Sequence, residues 1–421
     1  MTGLSARILA GLVLGLVVGA AIGGTAASGP LLAVAQPVGK LWLDALTMTV
    51  VPLVFSLLVT GIVSAADSAS GGRIAPLALL WFAVLLVGVC LISAALTPLA
   101  LDLWPIPAAA ASLQAPGGDV PVIASGADWV SNIIPTNPLA AAADTAMVPL
   151  VIFALIFGLA VSRIEPELRT SVHTFFRAIV QAMLTIVHWV LLVAPLGVFA
   201  LAFAVGARTG IGAASTLLHY VALVVGSCLT VTLLSYAVVA VMGRMSPLAF
   251  ARAALPAQVV AASTQSSLAS LPAMIEAAGP LRVDRQSAGI VLPLAVSIFR
   301  AASAAANVTV AVYLAHLHGI PLGAGTLIVG ALVAAAVSVA AVGLPAQVSF
   351  FAIIGPVCLA MGVPIYLLPL LLAIETIPDI FRTIGNVTAD LAVTRLVGRG
   401  EKSGEPGSEP IGDQTGAEAS H

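Results

Sequence analysis

Long apolar segments follow one another through the first 243 residues of this chain. Each is about 20 residues or longer, the length that an α-helix needs to cross the hydrocarbon core of a bilayer. The lipid core offers no partner for backbone polar groups, so such segments fold as spanning helices. They cover residues 7–27, 39–66, 74–103, 137–162, 171–206 and 213–243. This pattern predicts an all-α polytopic membrane protein.

The composition agrees with a membrane setting. Hydrophobic residues make up 60% of the 421 residues and charged residues only 8%, a balance far from that of soluble domains. The cysteines lie singly in apolar segments without metal-ligand spacing, and no nucleophile with a base stands out at membrane depth. We therefore expect no cofactor, no nucleic-acid partner and no enzymatic activity.

The apolar pattern changes in the second half of the chain. Residues 247–279 are interrupted by Ser-Thr-Gln-Ser-Ser at 263–267, and residues 322–361 by Gly-Leu-Pro-Ala-Gln at 343–347. Irregular backbone is tolerated at membrane depth only where it lines a cavity or is buried in protein, so the pattern predicts two re-entrant hairpins at a transporter binding site. After each hairpin we expect one unbroken helix, at 287–318 and 363–397.

Polar residues recur through the last apolar segment with a helical spacing. Glu375, Asp379, Arg382, Asn386 and Asp390 are 4, 3, 4 and 4 residues apart. On one α-helix they would fall within an arc of about 80°. A charge at mid-bilayer depth costs about 2.5–3.5 kcal/mol and is retained where it faces a protein interior that handles a charged solute or ion. This polar stripe predicts a transport site.

The basic residues favour one orientation in the membrane. With a cytoplasmic N-terminus and two re-entrant hairpins, 12 of the 16 Lys and Arg residues fall on the cytoplasmic side. Lys40 and Arg208 fall outside, and Arg300 and Arg382 lie within the membrane. A hairpin that crossed fully would remove this asymmetry. Both termini are therefore predicted to be cytoplasmic, and the Gly-, Glu-, Ser- and Pro-rich tail to be disordered.

Several motifs carry a resemblance to a known family. Residues Asp379–Asp390 are similar to the last-helix motif D-x-x-R-T-x-x-N-V-x-G-D, residues Thr264–Ser267 to a serine-rich first hairpin, and Gly343–Pro345 to a second hairpin tip. The chain resembles the dicarboxylate/amino acid:cation symporter family, the glutamate-transporter homologues. The likeness extends to about residue 397.

The resemblance implies a fold and an assembly. It implies eight transmembrane helices plus two re-entrant helical hairpins in inverted repeats, in a homotrimer in the bacterial inner membrane. A scaffold would hold a transport domain that slides as an elevator, with the second hairpin as extracellular gate. The implied boundaries are 1–73 for scaffold helices 1 and 2, 74–103 for transport-domain helix 3, 104–212 for an extracellular loop and scaffold helices 4 and 5, 213–397 for the rest of the transport domain, and 398–421 for the cytoplasmic tail.

The resemblance also implies roles for individual residues. Arg382 would pair with a side-chain carboxylate of the substrate and Asp379 with its amino group. Asn386 would contact the main-chain carboxylate, and Asp390 would be a sodium ligand. The implied substrate-binding residues are Ser266, Ser267, Ser303, Pro345, Asp379, Arg382, Thr383 and Asn386. The ion-coupling residues are Arg300, Glu375, Asn386 and Asp390.

The side-chain chemistry of these residues supports substrate binding independently of the resemblance. A guanidinium binds a carboxylate through two hydrogen bonds, and a carboxylate binds an ammonium group. Two alternatives stay open at this point. Glu375, Asp379 and Arg382 could form a purely structural ion cluster, and Ser266 and Ser267 could simply bond to the preceding backbone turn.

The seventh helix departs from the family pattern. Where relatives typically carry N-M-D-G-T, this chain has Phe-Arg-Ala-Ala-Ser at 299–303. An amide and a carboxylate that would help to hold sodium are missing, so coupling to three sodium ions is not expected. Arg300 could supply the missing positive charge, pair structurally with Glu375 or Asp390, or bind a substrate carboxylate. The coupling ion would then be Na⁺ or H⁺, the proton being carried on Glu375, or there would be none.

The function predicted from these observations is secondary active transport of a small acidic amino acid with altered cation coupling. Asp379 together with Arg382 favours a zwitterion with an extra carboxylate. The alternatives are a sodium- or proton-coupled C4-dicarboxylate symporter, and a non-transporting binding or sensor protein or anion channel on the same scaffold. The expected partners are a small anionic or zwitterionic solute, membrane lipid and further copies of the chain.

Overall fold

The computed structural model describes residues 2–69, 73–107, 134–210, 212–340 and 346–398. Within these ranges every regular element is an α-helix, as the apolar segments predict. Three predicted features lie outside the described residues: most of the loop after residue 104, the second hairpin tip with Pro345, and the tail beyond Gly398.

The helices are labelled in chain order. They are α1 (Thr2–Ile22), α2 (Ser28–Thr47), α3 (Val50–Ala69), α4 (Ile74–Leu103), α5 (Pro138–Ala143), α6 (Met147–Val161), α7 (Pro166–Leu192), α8 (Ala194–Thr209), α9 (Gly212–Val241), α10 (Pro247–Thr264), α11 (Ser267–Glu276), α12 (Arg285–Ile298), α13 (Ala301–Leu317), α14 (Ala324–Ala340), α15 (Ala346–Ala360), α16 (Leu368–Leu372) and α17 (Thr376–Gly398).

Several helical stretches are long and apolar enough to cross a membrane. In the part of the chain that the structure describes there are five, at Ser28–Asp67, Ile74–Leu103, Pro166–Leu192, Ala214–Val241 and Arg285–Leu317. Shorter apolar helices accompany them at Ala6–Ile22, Met147–Val161, Ala194–Arg208 and Ala324–Val339. These lengths support a protein that resides in a membrane.

Glycines bring the first helix into backbone contact with α8. Gly11, Gly15 and Gly19 are four residues apart and lie on one face of α1. A Cβ atom added at Gly15 would lie 2.5 Å from the carbonyl oxygen of Phe199 on α8. Small residues at this spacing allow helices to approach closely in lipid. This glycine row is thus used for packing within the chain.

The last helix is enclosed by other helices. The neighbours that pack against α17 are α4, α9, α10, α11, α12 and α13. Most of its residues are buried. The helix α13, which packs on it, is buried at every position from Ala301 to Ala315. The polar stripe is therefore surrounded by protein.

The structure corrects the prediction of two unbroken helices. The segment 287–318 is interrupted at Phe299 and Arg300, where the backbone leaves the helical conformation between α12 and α13. The segment 363–397 contains a turn at residues 373–375, after which α17 begins with Pro378 in its first turn. Proline is tolerated there because the first N–H groups of a helix have no intrahelical partner.

Candidate functional site

Four residues of the predicted stripe lie on α17 and are almost completely buried. Asp379 and Arg382 are each 6% exposed, Asn386 is 1% exposed and Asp390 is fully buried. Glu375 is also buried, but it lies in the turn just before α17 and not on the helix itself. The prediction that the stripe lies on one helix is therefore correct for these four residues and wrong for Glu375, because α17 begins one residue after it.

Arg382 is the centre of a buried polar cluster. Its Nη2 atom lies 2.8 Å from Oε1 of Glu375, and its Nη1 atom donates a hydrogen bond to Oδ1 of Asn307 at 3.2 Å. The hydroxyl of Tyr220 on α9 lies 3.5 Å from the other Glu375 oxygen. The carboxylate that pairs with Arg382 is thus Glu375 rather than Asp379.

Asp379 stands one turn before Arg382. Its side chain interacts electrostatically with two guanidinium groups, those of Arg382 and Arg300. The hydroxyl of Thr383 donates to the Asp379 backbone carbonyl at 2.8 Å, a bond within the helix. The structure thus brings Asp379 and Arg382 together, while the Thr383 hydroxyl is directed to its own backbone.

Asn386 holds the start of α13. Its Oδ1 atom accepts hydrogen bonds from the backbone N–H groups of Ala302 and Ser303, at 2.9 and 3.2 Å. Its Nδ2 atom donates to the Ser303 hydroxyl at 2.9 Å. The first N–H groups of a helix have no intrahelical partner, so a side chain of α17 provides the cap that α13 lacks in its own sequence.

This capping explains why the predicted helix at 287–318 is divided into α12 and α13. Phe299 and Arg300 leave the helical conformation, and the Phe299 ring stacks on Phe82 of α4 with the ring centres 4.7 Å apart. On the other side of the break, Asn386 takes the freed N–H groups of α13. The break thereby places Arg300 and Ser303 beside the polar stripe.

Arg300 and Asp390 form the second charged part of the site. Arg300, at the break, interacts electrostatically with Asp379 and Asp390. Both carboxylate oxygens of Asp390 are buried and lack a hydrogen-bond partner among the described residues. The structure therefore places Arg300 near the carboxylate for which the sequence predicted an ion-coupling role.

The serine-rich interruption ends α10 and begins α11. Gln265 has the left-handed conformation, with φ at 52°, and Ser266 caps α11 by accepting from the Ala269 N–H at 3.2 Å. The Gln265 amide donates to the carbonyl of Thr376, the first residue of α17, at 3.3 Å. The tip with Ser266 and Ser267 is therefore anchored at the end of α17 that follows Glu375.

Two polar residues of the cluster around Arg382 were missed by the sequence reasoning. Asn307 is a lone amide in the small-residue run of α13, and Tyr220 lies in an apolar part of α9. An isolated polar residue at membrane depth is itself a signal of a functional or buried contact. That signal could have found Asn307, whereas only the fold brings Tyr220 near Glu375.

Comparison with known proteins decides the family. Residues 4–399 match the model of the sodium:dicarboxylate symporter family. The chain belongs to this family. The protein is thus a membrane transporter and not an enzyme, and the resemblance seen in its motifs is confirmed. The family handles small carboxylates and amino acids, which suits a buried site with two guanidinium groups.

Similar proteins from bacteria cover most of the chain. It is 27% identical over 375 residues to the proton/glutamate-aspartate symporter of Escherichia coli K12, covering 87% of this chain and 85% of that protein. It is 26% identical over 383 residues to the C4-dicarboxylate transport protein of Azorhizobium caulinodans, covering 87% and 82%. It is 25% identical over 404 residues to the proton/sodium-glutamate symport protein of Bacillus subtilis 168, covering 95% and 93%.

Proposed function

We propose that this symporter carries a small acidic amino acid, such as aspartate or glutamate, across the bacterial inner membrane. The observation that carries the proposal is the buried juxtaposition of Asp379 and Arg382, one turn apart on α17. Arg382 offers a planar donor pair to a carboxylate, and Asp379 offers an acceptor to an ammonium group. An acidic amino acid presents both groups, so its binding would satisfy both side chains at once.

In the proposed binding step, the substrate carboxylate replaces Glu375 on Arg382. The ion pair at 2.8 Å shows that the guanidinium already lies against a carboxylate. Ser303 and Asn386 lie beside it, and the tip at Ser266 and Ser267 is anchored nearby through Gln265. These side chains would contact the rest of the solute, together with Thr383 and with Pro345 of the second hairpin.

We propose a proton as the coupling ion. A substrate carboxylate that binds Arg382 would take away the salt-bridge partner of Glu375. Because Glu375 lies in an environment with little water, a proton would then neutralise its carboxylate. The groups that face Glu375 are Arg382 and Asp379 from the α17 side and Tyr220 from α9. Proton coupling is named for the relatives from Escherichia coli and Bacillus subtilis.

The proposed architecture is eight transmembrane helices with two re-entrant hairpins, and both termini cytoplasmic. The helices α10 and α11 pack against each other and against α17, and α14 packs against α15. These pairs would be the two hairpins. We propose that residues 74–103 and 213–397 move together as an elevator within a homotrimer, since α4 and α9–α13 all contact α17.

A C4-dicarboxylate is the second candidate substrate. Arg300 supplies a second guanidinium close to Asp379, so that one arginine could bind each carboxylate of a diacid. The relative from Azorhizobium caulinodans is named for this substrate class. In this case Asp379 would serve to hold Arg300 and would not contact an ammonium group.

Binding calorimetry on the purified protein separates the two candidates. We expect aspartate or glutamate to bind, succinate to bind far more weakly, and Asp379→Asn to abolish binding of the amino acid. The matched control is Asp144→Asn at an exposed position, which should leave binding unchanged. Tight succinate binding that survives Asp379→Asn would overturn the amino-acid proposal in favour of the diacid.

A further inference from the structure

The carboxylate of Asp390 has an unusual environment. It is fully buried in α17, and its two oxygens accept no hydrogen bond from any residue that the structure describes. A charged carboxylate in such a position needs a compensating positive charge, because its hydration has been lost. The question is which group supplies that charge.

Arg300 is in the right place to do so. It lies at the break between α12 and α13, two residues before Ala302, whose N–H donates to Asn386 one turn before Asp390 on α17. Its charge interacts with the Asp390 carboxylate. A guanidinium keeps its charge at every physiological pH. The chain therefore carries a fixed cation where this buried acid requires one.

The residues present do not fit a sodium ion at Asp390, although the family is named for sodium. A hard cation needs several oxygen ligands. The Asn386 oxygen is already occupied by two backbone N–H groups, and Ala301 and Ala302 offer no side-chain oxygen. A sodium ion at Asp390 would also be repelled by the guanidinium of Arg300.

We propose that Arg300 is a built-in cation that replaces a coupling sodium ion at Asp390, so that this compartment of the site binds no Na⁺. This inference rests on the proposed transport function and deepens it, because it specifies one ion that does not travel with the solute. Removing the guanidinium should leave the buried Asp390 carboxylate without a compensating charge, and neutralising Asp390 as well should relieve that cost.

Thermal unfolding of the purified protein tests this inference. The melting temperature is measured in NaCl and in choline chloride of the same ionic strength. We expect no sodium-specific shift for the native protein, a lower melting temperature for Arg300→Ala in both salts, and recovery of most of that loss in Arg300→Ala/Asp390→Asn. The exposed Arg177→Ala serves as the matched control and should behave like the native protein.

Three results would overturn the inference. One is a sodium-specific shift of the native protein that Asp390→Asn removes, and another is an Arg300→Ala variant that melts at the native temperature. If Arg300→Ala does not fold, the charge-neutral double variant decides. Recovery of folding supports the pairing with Asp390, and failure of both variants contradicts it.

The same samples keep this inference separate from the proposed function. Aspartate and succinate are added to the native protein in choline chloride, and the shift in melting temperature is recorded. Absence of a shift with either solute counts against the proposed function. The melting temperatures of Arg300→Ala and of the double variant are measured without either solute and decide the role of Arg300 independently.

Discussion

Arg382 is the residue on which the account of the site depends most. Its guanidinium is buried and already contacts a carboxylate and an amide oxygen, those of Glu375 and Asn307. Burial of a guanidinium is costly unless its donors are satisfied. A substrate that displaces Glu375 from Arg382 must therefore offer a carboxylate of its own. This requirement selects solutes that carry a carboxylate.

Replacement of Arg382 by lysine should greatly weaken substrate binding. An ammonium group keeps the charge but cannot form the planar pair of hydrogen bonds, which is worth about 1.5–3 kcal/mol. We expect kcat/KM for aspartate uptake to fall roughly 10- to 100-fold. The exposed Arg177→Lys is the control, and equal uptake by the Arg382→Lys and Arg177→Lys proteins would show that Arg382 does not contact the solute.

Asn386 is expected to matter for stability as well as for binding. Asn386→Ala removes the acceptor for two N–H groups of α13, and the loss of a cap typically costs about 1–2 kcal/mol. The melting temperature should fall by several degrees. Asn137 caps the exposed helix α5 in a similar way, so Asn137→Ala is a matched control with a smaller expected effect. An unchanged melting temperature for Asn386→Ala would contradict the capping role.

At the scale of elements, the break between α12 and α13 is the feature that shapes the site. It turns two backbone N–H groups toward α17 and brings Arg300 close to two acidic side chains. A continuous helix would keep those N–H groups in its own hydrogen-bond ladder. The break therefore depends on Asn386 and cannot be understood from α12 and α13 alone.

The glycine row of α1 gives a prediction about helix packing. Gly15→Ala places a methyl group 2.5 Å from the Phe199 carbonyl oxygen, so α1 and α8 must move apart. We expect a loss of about 1–3 kcal/mol, seen as a lower melting temperature. Gly3 lies on the same helix with nothing within 4 Å of an added Cβ, and Gly3→Ala should leave the melting temperature unchanged or slightly raised. Equal melting temperatures for both variants would contradict the close packing.

The sequence predicted some elements well because their signals are local. The serine-rich interruption at 263–267 carries its own turn and capping residues, and the structure ends α10 and begins α11 there. The break at Phe299 and Arg300 has no such local signal, because its cap comes from a residue of α17 far along the chain. For the same reason helical spacing placed Asp379 and Arg382 together but could not reveal that Arg382 pairs with Glu375 from the preceding turn.

At the scale of the whole molecule, the site is built into a core of tightly packed helices. Four of the five stripe residues lie on α17, and the surrounding helices contribute Tyr220, Asn307 and Ser303 to the polar cluster. Such a site cannot exchange solute with both sides of a membrane while these helices stay fixed. We therefore expect transport to require a concerted movement of this unit.

Glu375 should determine whether a pH gradient drives that movement. Glu375→Gln cannot exchange a proton, so aspartate would still exchange across the membrane while accumulation against its gradient fails. Proteoliposomes acidified on the outside, with valinomycin and equal potassium on both sides, measure accumulation. Glu165→Gln is the control at an exposed position and should accumulate aspartate normally. Full accumulation of aspartate by Glu375→Gln would show that Glu375 does not carry the coupling proton.

The most direct test of the account is uptake of radiolabelled aspartate into proteoliposomes that contain the native protein. We predict saturable uptake that is competed by unlabelled glutamate, and loss of this uptake in Asp379→Asn. Saturable binding of aspartate without any uptake into the vesicles, in a protein that remains folded, would contradict the claim that the polar stripe of α17 carries an acidic solute across the membrane.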